Sequence, residues 1–340
     1  MLSLIIKGLV TQGYQIDLYT SLNRSGFLTN IEGIKSHCIY YEFSKNKIKT
    51  TFFLIYAQVT SFLAVLRYCF KKDVTVYINT IYPFGAALGA VITRKRLIYH
   101  VHEKPVKQSI ISSFALIILN KFAQKAIFVS RYLHDNSSLR EEKKELVYNA
   151  LSPEFTLRAE HFVHNSKTCN ILMICSLRKF KGVLEFIEIA SVLSKYSFTL
   201  VVNGTEVEIE SFFRGIDLPK NLEIFSSKTD VHPFYEKANL VLNLSIPALC
   251  IESFGLTVLE AMTYGIPVIV PQVGGITELV EDGVNGYKID ARNKEVLISK
   301  INQICSDKQH YFFLSANAKK KAGFFSYARM IDGIERVINY

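Results

Sequence analysis

The chain has 340 residues, of which 49% are apolar and 21% charged, and a net charge of +10. That length holds two domains of ordinary size, and that composition excludes a disordered chain. The excess charge lies entirely in one half: residues 1–150 carry 20 Lys and Arg against 9 Asp and Glu, while residues 151–340 carry 20 against 21.

The opening residues, LSLIIKGLVTQG, read as an amphipathic helix with no secretory leader, and a strand follows at 14–20. An α/β domain ordinarily begins with a strand and a glycine-rich turn. The expectation is therefore a first domain without its opening strand and loop. The run Phe52–Leu66 is shorter than the roughly 20 residues of a spanning helix, and Gln58, Thr60 and Ser61 dilute it. It reads as a helix buried in a domain, with shallow membrane contact beside Arg67, Lys71 and Lys72 as the alternative. Further strands are expected at 74–80, 96–102, 125–130 and 145–149.

Basic residues come in short groups between these runs: Lys45/Lys47/Lys49, Lys71/Lys72, Arg94/Lys95/Arg96 and Lys104/Lys107. Zinc-finger spacing, a basic zipper and an aromatic RNA-binding signature are all lacking, so nucleic acid is set aside as a partner. The pattern suits an anionic membrane surface or a phospholipid-linked substrate. A simply solvated basic face remains open.

Residues 149–168 are polar and contain proline, and the charge balance changes there. Beyond them, strands are expected at 170–176, 198–204, 221–226, 239–245 and 265–271. Helical spacing falls between, as at 181–196 and 255–265, and an amphipathic helix closes the chain at 324–340. Strands alternating with helices argue for parallel sheets covered on both faces. The fold class is thus α/β, with two doubly wound domains facing across a cleft. One takes in residues 1–150, with 325–340 packing back on it, and the other residues 151–324. Cys38, Cys69, Cys169, Cys175, Cys250 and Cys305 form no C-x-x-C and no zinc spacing, so buried free thiols in a reducing compartment are expected.

The densest chemistry is ESFGLTVLEAM, residues 252–262. Glu252 lies in a loop, Gly255 lets a backbone approach a phosphate, and a helix start offers unpaired amides and a positive dipole end. Glu260, about a turn into the helix, is placed to accept bonds from vicinal hydroxyls such as those of a ribose. A capping acid plus a surface acid is the plain alternative. In CSLRKFKGVLEF, Arg178 and Lys181 fall in a strand–helix turn where cations neutralise a diphosphate. A solvated basic turn is the alternative there. Gly274-Gly275 begins another helical turn near the same strand ends, and open α/β sheets bind ligands at such ends.

The stretch ESFGLTVLEAMTYGIPVIVPQVGGITELVEDGVNG, with the S-L-R-x-x-K-G turn, VSRYLHDN, VYNAL and YHVHE, resembles the family 4 glycosyltransferases of the GT-B fold. The resemblance implies retaining transfer of a sugar from a UDP- or GDP-linked donor, with no metal or other cofactor. It assigns Glu260 to the nucleotide ribose, Glu252 to the donor sugar, and backbone around Phe254, Gly255 and Leu256 to the diphosphate, with Thr257 and Gly204 also at the donor. Lys181 matches the family's phosphate-binding Lys. Ser176 stands where the family has Arg, and Arg178 is the substitute. His102 fits the histidine near the reacting sugar, with His100 as the other candidate, and Asn149 supports the domain junction. His102, Glu252, Lys181 and Arg178 form the expected catalytic set.

The implied acceptor is a growing cell-surface glycan such as O-antigen, capsule or exopolysaccharide, carried on lipid. The implied location is cytoplasmic, peripheral on the inner face of the membrane. Two other readings stay open: a non-catalytic GT-B remnant that binds nucleotide or serves as a partner subunit, and a sugar-nucleotide epimerase.

Overall fold

In a computed structural model, residues 1–21, 28, 31–42, 44, 46–104, 110–160, 162 and 169–340 are described. Lys45, Lys107 and residues 161 and 163–168 of the expected boundary lie outside them. Two compact units divide the chain: unit 1, Met1–Tyr148 with Ala328–Tyr340, and unit 2, Asn149–Tyr327.

Unit 1 runs α1 (Leu2–Thr11), β1 (Ile16–Ser21), β2 (Ile34–Ile39), α2 (Lys47–Leu66), β3 (Thr75–Asn79), α3 (Phe84–Ile92), β4 (Arg96–Val101), α4 (Ile110–Phe122), β5 (Lys125–Phe128), α5 (Arg131–Asp135) and β6 (Lys144–Leu146). Its strands do not form one sheet. β1 and β2 pair in parallel by themselves, and β3-β4-β5-β6 form a separate parallel sheet. Between the two lies a cavity of about 1980 Å³ lined by every residue from Tyr14 to Ser21 and from Val74 to Thr80. Side chains of α1 (Ile5, Ile6, Leu9) and α2 (Leu54, Ala57, Val65) also line it. Among the described residues, the edges of β1 and β3 that face it have no strand partner.

The 20-residue α2 is opened by Asn46, whose side chain accepts from the amides of Ile48 and Lys49. Here the structure corrects the expectation of a buried helix. Only Ser61, Ala64 and Val65 are buried, and Ile48, Phe52, Ile55, Tyr56, Val59 and Leu63 are exposed. The inner face is occupied by contact with α3, where the Gly85 and Gly89 positions leave no room for a Cβ against the α2 backbone and Val65. Among the described residues α2 is the one helix long and apolar enough to cross a membrane, by length and composition alone.

Unit 2 runs α6 (Pro153–Glu160), β7 (Asn170–Ser176), α7 (Val183–Val192), β8 (Ser197–Asn203), α8 (Glu206–Phe213), β9 (Leu222–Phe225), α9 (His232–Lys237), β10 (Leu240–Leu242), α10 (Leu256–Thr263), β11 (Val268–Val270), β12 (Gly286–Lys288), α11 (Lys294–Ser306) and α12 (Lys308–Ala322). The last helix, α13 (Tyr327–Ile338), falls almost wholly in unit 1 and buries Met330, Ile331, Ile334 and Val337. Unit 2 has one parallel sheet in the order β12-β11-β10-β7-β8-β9. Ile171 of β7 stands opposite both Phe198 of β8 and Leu240 of β10. The chain thus winds outward from β7 in one direction and then returns to wind the other way from β10. Buried apolar side chains fill both faces, Ile171, Leu200 and Leu242 on one and Leu172, Val201 and Val241 on the other, as a parallel sheet between helices demands.

Cys169, next to the start of β7, and Cys305, in the last turn of α11, are joined as a disulfide with Cα atoms 5.6 Å apart. This corrects the expectation of free thiols throughout. The two cysteines are 136 residues apart, and only the fold brings them together. Cys38 and Cys69, also expected to be buried, are exposed.

Candidate active site

β7 and β10 are neighbours in the sheet but far apart in the chain, and a crevice at the carboxyl ends of such strands is where open α/β sheets hold ligands. Three connections meet there. The turn after β7 carries Lys179–Lys181 as a single 3₁₀ turn and ends at Gly182, whose φ is +78°. A Cβ at Gly182 would lie 2.2 Å from the Leu244 carbonyl oxygen, so only glycine lets this turn sit against the loop after β10. The Ile246 amide donates to the Phe180 carbonyl at 2.9 Å and fastens the two connections.

Glu252 is held from both sides. Its carboxylate receives an ion pair from the Lys181 ammonium and a 2.7 Å hydrogen bond from the Ser245 hydroxyl. Its carbonyl receives the Gly275 amide at 2.8 Å, and a Cβ at Gly274 (φ +116°) would come within 2.5 Å of that carbonyl. Burial opposes ionisation of Glu252, but the Lys181 charge and bonds from Lys181, Ser245 and Asn243 outweigh it and hold the carboxyl below its usual range.

Gly255, with φ +99°, turns the chain into α10, and its Cβ position lies 2.6 Å from Ile276. α10 begins without a side-chain cap, so its first amides and positive dipole end are available to an anion. Leu256 and Thr257 form its first turn, while Phe254 is buried against Phe325. Glu260 points to a different environment from that of Glu252. Burial pushes its carboxyl up to about 7, partly offset by the Tyr235 hydroxyl, which donates to it at 2.6 Å.

Arg178 is exposed in the β7–α7 turn, and its charge reaches Glu208 at the start of α8. Gly204 follows the end of β8, beside Leu177 of the β7–α7 turn. The structure therefore brings Lys181, Glu252 and the start of α10 into one connected unit, with Arg178 and Gly204 at the neighbouring strand end. Asn149 opens unit 2 as a buried residue whose side-chain oxygen has no hydrogen-bond partner.

His100 and His102 belong to unit 1, at the carboxyl end of β4. Their rings lie 4.1 Å apart. His102 Nε2 meets the Asn79 side-chain oxygen at 2.8 Å, and His100 Nδ1 meets the Tyr77 hydroxyl at 2.6 Å. Burial, reinforced by the charge of the Met1 amine, lowers His102 to about 4, and burial with the neighbouring His102 lowers His100. Both shifts favour the neutral imidazole near pH 7. Among the described residues no group of three or more His, Cys, Asp or Glu side chains could hold a metal ion.

Four supporting residues escaped the sequence reading: Ser245 and Tyr235, which hold the two glutamates, and Asn79 and Tyr77, which orient the two histidines. None lies within a motif. Each is recognised only once the strands are side by side.

Residues 157–321 match the family model of glycosyl transferases group 1. A sucrose synthase of Melioribacter roseus is 52% identical over 61 residues, 18% of this chain and only 8% of that protein. The uncharacterized glycosyltransferase MJ1178 of Methanocaldococcus jannaschii is 26% identical over 267 residues, covering 75% of this chain and 72% of that one. Among solved structures, Anabaena Alr3699/HepE in complex with UDP and glucose superposes with a TM-score of 0.78 at 20% identity, over 99% of this chain and 95% of that one. The family match thus spans 157–321, just under half of the chain, while the whole length takes the GT-B fold of that solved structure.

Proposed function

We propose that this glycosyltransferase moves a sugar, with retention, from a UDP- or GDP-linked donor to a growing cell-surface glycan carried on lipid. The observation that carries the reading is the Lys181–Glu252 pair set beside the uncapped start of α10 at the β7/β10 crevice. The UDP and glucose named for Anabaena HepE support a nucleotide-sugar donor here.

In this reading the diphosphate lies against Lys181, Arg178 and the α10 amides, which stabilise the charge that grows as the sugar departs. No metal is required for that task. Glu252 receives sugar hydroxyls when Lys181 turns to the phosphate, and Glu260 receives the ribose hydroxyls. The bond from the anomeric carbon to the phosphate oxygen breaks, and the acceptor oxygen bonds on the same face. The departing phosphate takes the acceptor's proton. A cytoplasmic site at the inner face of the membrane suits both a nucleotide-sugar donor and a lipid-borne acceptor.

Turnover of a panel of sugar nucleotides, with calorimetry against UDP and GDP, tests the reading. Binding of one nucleotide with release of its sugar supports it, and no binding of either ends it. The divided sheet of unit 1 favours a second reading, a protein that binds nucleotide without transfer. Tight UDP or GDP binding with no turnover of any donor selects that one.

A further inference from the structure

The outward residues of α2 are spaced as one stripe. Ile48, Phe52, Ile55, Tyr56, Val59 and Leu63 fall within an arc of about 100° at 3.6 residues per turn. Their exposures run from 46% for Tyr56 to 80% for Ile48. A soluble helix facing water at this position would carry charged or polar residues on that arc. The stripe is not alone. α4 carries a second one, Ile110, Phe114 and Ile117, all exposed, and Phe84 of α3 meets Phe114 edge to face at 5.3 Å. α3 touches α2 on one side and α4 on the other, so the three helices form one layer over the sheet.

Charge decides what covers this layer. α2, α3 and α4 contain no acidic residue. Lys47 and Lys49 stand exposed in the first turn of α2, Arg67, Lys71 and Lys72 just beyond its end, and Lys121 at the end of the α4 stripe. A second copy of the chain would bring the same cations face to face in low dielectric, a costly arrangement. An anionic lipid surface meets both features: its acyl boundary takes the apolar stripes, and its headgroups take the cations. The inner side of α2 is committed to α3 and to the cavity, so the helix lies in the plane of the interface and does not span it.

We infer that the α2–α3–α4 layer of unit 1 is a docking surface for an anionic bilayer, with α2 inserted along its length to the depth of its stripe. This partner is compatible with a lipid-borne acceptor, but it rests on the exposed stripe and its cations, not on the sugar-transfer reading. It stands if the donor assay fails.

The test is sedimentation of the full chain with vesicles of phosphatidylcholine alone and of phosphatidylcholine with phosphatidylglycerol, at low and high salt. Binding is expected to the anionic vesicles and to weaken with salt. The F52S/I55S/V59S variant should lower that binding by about tenfold or more. A second variant, K47E/K49E/K121E, should abolish the preference for anionic lipid without touching the stripe. The circular dichroism spectrum and thermal unfolding midpoint of both variants should match those of the unaltered chain and serve as the control on folding, independent of any nucleotide. Three results overturn the inference: no binding to anionic vesicles, equal binding by the serine variant, or a concentration-dependent dimer that the serine variant disrupts, which would make a second copy the occupant.

Discussion

Among the described residues, unit 2 carries an unbroken sheet of six parallel strands in which β7 is paired on both edges, whereas unit 1 divides its six strands between a pair and a foursome with about 1980 Å³ between them. The contrast shows what a closed sheet does for a site. Because β7 and β10 are hydrogen-bonded neighbours, the turn after one and the loop after the other are held at bonding distance, and Lys181 reaches Glu252. In unit 1 the corresponding central position, between β1 and β3, holds a cavity. Residues such as Asn79 and Thr80 line that cavity instead of a neighbouring connection. Backbone edges without partners in a largely apolar space are costly, and strand edges are the usual points at which another strand adds.

The largest way to break the comparison is to close the gap. Leu2 and Ile5, at the start of α1, line the same cavity as Val74 to Thr80 around β3. A strand filling it beside β3 would therefore lie close to the start of α1. Placing six alternating β-branched residues and a short glycine turn ahead of Met1 is expected to stabilise unit 1 by roughly 5 kcal/mol, from about three buried apolar side chains. Thermal unfolding reads this out, with a Gly/Ser extension of equal length as the control. Equal midpoints for the two extensions would show that the cavity does not accept a strand.

In unit 2 the sharpest cut is Lys181→Ala. It removes the cation at the crevice and strands a mostly buried carboxylate, so the Glu252 carboxyl should move up from its lowered value. Turnover is expected to fall by roughly 10²–10³-fold, more than for Arg178→Ala, since Arg178 is exposed and unconnected to Glu252. Equal losses for the two would place the phosphate nearer Arg178 than the proposed function has it.

A smaller effect separates the crevice from the rest of the same unit. Gly255 and Gly283 both have positive φ, at +99° and +74°, but a Cβ at Gly255 meets Ile276 at 2.6 Å while one at Gly283 meets nothing within 4 Å. Gly283→Ala should cost on the order of 1 kcal/mol of backbone strain alone. Gly255→Ala adds a clash and displaces the start of α10, so UDP affinity should fall by about tenfold or more with it and stay unchanged with Gly283→Ala. Titration calorimetry of both variants decides the point.

Much of this was legible in the sequence, and the failures have physical causes. The ten expected strands are present because continuous apolar runs such as NILMICS and FTLVVN suit a sheet covered on both faces. β2 was not found because IKSHCI is half exposed and mixes polar with apolar residues, and β12 because three residues carry no period. α2 was misjudged because both of its faces are apolar. Periodicity cannot say which of two apolar arcs turns inward. The motif at 252–262 identified the glutamates, yet not that Lys181 and Glu252 pair, since 71 residues separate them. The same limit hid Tyr235 from Glu260 and Cys169 from Cys305.

The two glutamates of the crevice differ in ionisation, and pH is the finest instrument for separating them. Glu252 is lowered and stays ionised across the neutral range, and His102, at about 4, stays neutral, so neither contributes a titration there. Glu260, at about 7, does. Its folded value lies above the ordinary 4.5, so the folded state prefers the protonated acid. The stability this contributes is full below about pH 4.5 and is lost as pH rises through 7. Ribose binding runs the other way, because hydroxyls donate more strongly to a carboxylate than to a carboxyl. Between about pH 5 and about pH 8, UDP affinity should therefore rise by about tenfold while the stability of unit 2 declines. Glu260→Gln should flatten both slopes. The titration of UDP's own phosphate is common to both proteins and cancels in their ratio. Tyr235→Phe removes the bond that holds Glu260 down, so the midpoint of the affinity curve should move to higher pH. An affinity ratio that is flat with pH would take Glu260 away from the ribose.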